Sequence, residues 1–147
     1  DVRRQGWRYH MSNIMAAIGR VQLSRLESEF IPARRALAAA YAEGLAHLPG
    51  VALLHADPAD FIVPHILPVR ILNGRKDAVR EALNREGIPT GVHYKPNHLL
   101  SFFGGGALPL PVTERLYAEL LTLPLHPGLN REDVEKIRSA LARALSA

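Results

Sequence analysis

Apolar residues recur at helical spacing through Ile14, Ile18, Val21, Leu23, Leu26 and Phe30, which predicts an amphipathic helix running from Ser12 to about Phe30. Ser12 suits the N-cap, because its hydroxyl can take a free backbone N–H of the first turn. Ala16, Ala17 and Gly19 add little bulk and would admit another backbone closely. Pro32 removes one helix hydrogen bond and crowds the preceding turn, so a kink is expected there before the alanine-rich run resumes from Arg34 to Leu48. Pro49-Gly50 closes it.

Beyond this point the period shortens. Val51–Leu54 reads as a short strand, His55–Asp60 as a polar loop, and Phe61–Ile71 as a strand centred on Ile66–Ile71, with Pro64 and Pro68 marking its edges. Arg75–Glu86 is a helix with Ala78, Val79, Ala82 and Leu83 inward, closed by Gly87 in the left-handed region. Thr90–Tyr94 is expected to form the next strand. Pro111–Leu121 reads as a helix with proline in its first turn, and Leu123–Leu125 as a last strand. Asn130 and Asp133 carry a capping-box pattern before the stripe Val134, Ile137, Leu141 and Leu145. The order strand, strand, helix, strand implies an α/β chain of the α+β kind: a long kinked N-terminal helix and a three- to four-stranded sheet with helices on one face. The expected division is residues 1–50 as loop and long helix, and 51–147 as a small domain.

Composition narrows the function. The 147 residues contain no cysteine, which excludes disulfides and thiolate chemistry. No apolar run approaches the roughly 18 residues that span a bilayer, and no signal-peptide pattern opens the chain, so the cytoplasm is the default. The net charge of +4 raises a nucleic-acid reading. The basic residues alternate with acidic ones, as in Arg80-Glu81 and Arg85-Glu86, and form no stripe interleaved with aromatics, so that reading is set aside. Gly104-Gly105-Gly106 lacks the Lys-Ser/Thr of a phosphate-binding loop. His93 and His98 have no carboxylate or thiolate nearby in sequence to complete a metal site.

Four stretches carry a resemblance. They are Gly6-Trp7-Arg8-Tyr9-His10-Met11-Ser12 with the helix start Ala16-Ala17-Ile18-Gly19, the run Gly87–His98, Leu110–Leu116, and Leu123-Pro124-Leu125-His126-Pro127-Gly128-Leu129. In order and spacing they resemble the DegT/DnrJ/StrS family of sugar aminotransferases, which use pyridoxal phosphate (PLP) and have the fold type I architecture. The resemblance implies the C-terminal portion of a longer protein: the small domain, without the N-terminal large domain that carries the PLP-binding lysine. The lysines here are Lys76, Lys95 and Lys136, none in the matching context, so no catalytic residue is expected in this stretch.

The resemblance further implies a homodimer in which the loop before the long helix reaches the cofactor phosphate of the neighbouring subunit. By position the cofactor-binding candidates are Arg8, His10 and Tyr9, with Trp7 as support. A guanidinium offers phosphate a planar fork of donors and histidine adds one more, although a plain surface salt bridge would use Arg8 equally well. The substrate-binding candidates are His93, Tyr94, Lys95 and His98, which would shape a nucleotide-sugar pocket; the alternative for His93 is a structural histidine at a strand end. Asn13 suits a cap or a site, and His65 lies where relatives also have histidine. The implied activity moves an amino group, from glutamate as the usual donor, to a nucleotide-linked keto-sugar. The alternative is a non-catalytic dimerisation or nucleotide-sugar-binding domain.

Overall fold

The structure, a computed structural model, describes residues 4–7, 9–54, 61–106 and 108–146. These form two compact units, residues 1–32 and 33–147.

In the first unit Ser12 is the N-cap, its Oγ accepting Met15 N–H at 3.3 Å, and α1 spans Asn13–Arg25. A π-helical turn follows at Leu26–Phe30, its widened bond running from Ile31 N–H to Leu26 C=O. The expected irregularity therefore lies just ahead of Pro32. Proline cannot bond the carbonyl four residues back, and a wider turn relieves the crowding its ring imposes there. No residue of α1 is buried, and Ile14, Ile18, Val21 and Leu23 are all more than half exposed. Gly19 has no neighbour within 4 Å of where a Cβ would stand. The apolar stripe is present, and none of it is buried among the described residues.

The second unit holds the core. Helix α2 (Ile31–Leu45) turns Leu37, Tyr41 and Leu45 inward at four-residue spacing. Strands β1 (Val51–Leu53), β2 (Leu67–Ile71) and β3 (Leu120–Leu123) form an antiparallel sheet in the order β1-β2-β3. Pairing of Leu67 with Leu123 and of Val69 with Leu121 sets the register. Alternation then puts Val69, Ile71, Leu121 and Leu123 on one face, where they meet Tyr41 and Leu45 of α2, Val79 and Leu83 of α3 (Lys76–Arg85), and Ile137 and Leu141 of α5 (Arg131–Ser146). Each of these side chains is worth about 1.5–3 kcal/mol when fully buried. Tyr41 lies wholly inside, its hydroxyl donating to Pro124 C=O at 2.9 Å.

Two expected elements differ. Helix α4 (Pro111–Glu119) stops short of Leu121, and the strand expected at Leu123–Leu125 is β3, three residues earlier. Leu120–Leu123 are drawn into the ladder by β2, and Pro124, which has no N–H to give, ends it. Thr90–Tyr94 contributes one bridge, between Gly91 and Thr122, and no strand. The expected loop His55–Asp60 lies outside the described residues. Asn130 and Asp133 form the reciprocal capping box, Asp133 N–H to Asn130 Oδ1 at 3.0 Å and Asn130 N–H to Asp133 Oδ2 at 3.1 Å.

Candidate functional site

Thr122 stands on β3 between Leu121 and Leu123 and therefore faces the other side of the sheet, paired with Pro68. Two backbone bonds join it to Gly91, Gly91 N–H to Thr122 C=O at 3.0 Å and Thr122 N–H to Gly91 C=O at 2.8 Å. The chain then leaves the sheet edge, and the His93 ring folds back so that Nδ1 lies 2.9 Å from Thr122 Oγ1. This is why the expected fourth strand reduces to a single bridge. Gly91 makes the fold-back sterically feasible, since a Cβ there would stand 2.6 Å from His93 Cε1. Tyr94 meets the His93 ring edge-on at 4.8 Å between centroids and is otherwise exposed, as is Lys95.

His98 is handled differently. It lies in a short 3-10 turn, Asn97–Leu99, and its Nε2 is 3.1 Å from Glu114 Oε1 on α4. The same oxygen accepts Leu110 N–H at 2.9 Å, and His98 C=O accepts Gly106 N–H at 2.7 Å. His98 thus links Gly106, at one end of the glycine loop, to α4, through its carbonyl on one side and its ring on the other. The Leu110 N–H, and after it the His98 ring, hold the Glu114 carboxyl below the usual carboxylate range. Glu114 and Thr122 complete this arrangement and are not among the candidates that the sequence marks. A lone hydroxyl in the apolar run Leu120-Leu121-Thr122-Leu123 was the available signal for one of them.

The phosphate candidates belong to the other unit. Tyr9 and His10 are exposed on the loop leading to α1, with Trp7 beside them, and Arg8 lies outside the described residues. His65 is exposed at a loop pinned by Arg34, whose Nη1 donates to the carbonyls of Pro64, His65 and Leu125 at 3.1–3.4 Å. A groove of about 420 Å³ between α2 and the sheet edge, lined by Ala38, Leu53, Ile62 and Leu67, includes none of the candidate residues.

Solved structures of similar architecture are aminotransferases. TlmJ of Streptoalloteichus hindustanus is 34% identical with a TM-score of 0.83, the match covering 90% of this chain and 36% of that one. PseC of Helicobacter pylori, an aminotransferase of pseudoaminic acid biosynthesis, is 25% identical with a TM-score of 0.90, covering 99% of this chain and 40% of that one. Spr1654 of Streptococcus pneumoniae, solved in a PLP form, is 27% identical with a TM-score of 0.77, covering 92% and 36%. The DegT/DnrJ/EryC1/StrS aminotransferase family profile matches residues 2–142. The chain belongs to that family. The match spans 36–40% of the length of these relatives.

Proposed function

We propose that the chain is the C-terminal part of a PLP-dependent aminotransferase that moves an amino group, from glutamate as donor, to a nucleotide-linked keto-sugar, and that the enzyme is a cytoplasmic homodimer. The observation that carries this reading is the family match over residues 2–142, joined to a fold shared with sugar aminotransferases. Among the described residues no helix is long and apolar enough to cross a membrane.

The donor set on the N-terminal loop suits a phosphate. Guanidinium, phenol and imidazole, the groups of Arg8, Tyr9 and His10, can all donate to anionic oxygen, and Tyr9 and His10 precede a helix capped by Ser12. PLP, when bound, supplies the electron sink for the transfer. Of the three lysines, Lys76 donates to Tyr117 C=O and Lys136 pairs with Asp133, while Lys95 is exposed among the pocket candidates. By the family resemblance, the PLP-binding lysine is assigned to the large domain. His93, Tyr94 and Lys95 line the sugar-nucleotide pocket, Lys95 offering its charge to a phosphate and Tyr94 a hydroxyl and a stacking surface. His98 serves the same pocket through the loop it fastens.

The test uses the full-length gene product. It is loaded with PLP, reduced with borohydride and weighed intact, then assayed with nucleotide-linked keto-sugars. One covalent adduct per subunit and amino transfer support the reading; a protein that binds the nucleotide sugar with neither adduct nor turnover is the non-catalytic alternative.

A further inference from the structure

The bond between His93 and Thr122 decides more than the position of a ring. Thr122 is a polar side chain only 8% exposed in the middle of β3, and among the described residues its hydroxyl has one partner, His93 Nδ1 at 2.9 Å. A hydroxyl carries a single proton, and a buried donor left without an acceptor costs about 1–3 kcal/mol. If Nδ1–H donated to Oγ1, the hydroxyl proton would be the orphan. With the hydroxyl donating to Nδ1 nothing is left over, and neutral imidazole then carries its own proton on Nε2.

We propose that Thr122 is a positioning residue that holds His93 as the Nε2–H tautomer, so that His93 meets its ligand as a hydrogen-bond donor to an oxygen of the sugar nucleotide. This rests on the reading of residues 93–95 as part of the sugar pocket. Three features fix the ring. Thr122 takes Nδ1, the Tyr94 ring stands edge-on at 4.8 Å and 84°, and the bare Cα of Gly91 leaves the space that the ring edge fills. Because Gly91 and Thr122 are also joined by two backbone bonds, the seat and the hydroxyl move as one piece. A ring held in one tautomer and one orientation loses little freedom when the ligand arrives, which is the advantage of preorganised donors.

The direct test is the ring-nitrogen spectrum of His93 in the 15N-labelled chain at about pH 8, above the ~6.5 of a free histidine. Nδ1 should resonate as an unprotonated nitrogen and Nε2 as a protonated one. Thr122→Ser should keep that pattern, and Thr122→Val should replace it with the averaged signals of an unconstrained imidazole. Gly91→Ala leaves both partners chemically intact and should give the same loss by pushing the ring off its seat. A proton found on Nδ1 in the unaltered chain overturns the proposal, and that measurement needs no variant to fold. A Thr122→Val spectrum identical to the unaltered one overturns it as well. In the full-length enzyme Thr122→Val should raise KM for the nucleotide sugar about threefold to tenfold, the value of one hydrogen bond, with Thr122→Ser restoring it. If the tautomer is held as stated but His93→Ala leaves that KM unchanged, the pocket reading of His93 fails, and the assignment of the Nε2 donor to the sugar nucleotide goes with it.

Discussion

Tyr41 shows how much one side chain decides here. It is wholly buried, yet its hydroxyl reaches Pro124 C=O just past the end of β3, so one residue fills the core and satisfies the first carbonyl beyond the ladder. Tyr41→Phe keeps the ring and removes the bond, and should cost about 0.5–1.5 kcal/mol by denaturant unfolding at neutral pH. Burial, and after it the charge of Asp133, pushes the phenol well above its ordinary value. The folded state therefore resists ionisation that the unfolded chain accepts. Stability should hold below about pH 10 and decline as pH rises from there through the folded value. Tyr41→Phe should remove that alkaline component, and an unchanged alkaline limb would contradict the assignment to Tyr41. Leu121, equally buried and with no polar role, should cost about 2–5 kcal/mol as Leu121→Ala.

At the scale of elements, helix ends are where side chains from distant parts of the sequence do most. Arg75 and Lys76 stand together at the start of α3, a poor place for cations by the dipole of their own helix. Each serves another helix instead. Arg75 Nη1 and Nη2 donate to Leu145 and Ala144 carbonyls at the end of α5, and Lys76 Nζ donates to Tyr117 C=O at the end of α4 while lying 4.6 Å over the Tyr117 ring. This explains why a lysine only 7% exposed needs no carboxylate. Lys76→Met preserves the stem and loses the head, and should lower stability by about 1.5–3 kcal/mol. Asn130→Ala, which opens the capping box of α5, should cost about 0.5–2 kcal/mol. Thermal or urea unfolding checks both, and a neutral Lys76→Met would mean that α4 ends unaided. The capping box was readable in advance, because its partners are three residues apart. The service of α3 to α4 and α5 was not, since those contacts span 41 and about 70 residues.

For the whole molecule two expectations follow. Asp133, Glu114 and Glu135 are held below the ordinary carboxylate range, chiefly by Asn130 N–H, Leu110 N–H and the Arg138 guanidinium respectively. Depressed carboxyls bind fewer protons folded than unfolded, so their contribution is present above about pH 4 and is lost as pH falls through the folded values. The exposed stripe of α1 bears on assembly. If it is a subunit contact, Ile14→Asp with Ile18→Asp should turn a sedimenting dimer of the full-length protein into a monomer. An unchanged sedimentation coefficient would remove α1 from the interface. The sequence by itself determined what depends on neighbours along the chain. The Ser12 and Asn130 caps, the turn at Gly87 and the inward stripe of α5 all rest on spacings of one to four residues, and the four family stretches on their order along the chain. Only the tertiary structure decided that β3 begins at Leu120, that Thr90–Tyr94 is a single bridge, and that His93 and His98 take Thr122 and Glu114 as partners. Those outcomes come from competition among segments for one sheet edge and one set of hydrogen-bond donors, which local propensity does not contain.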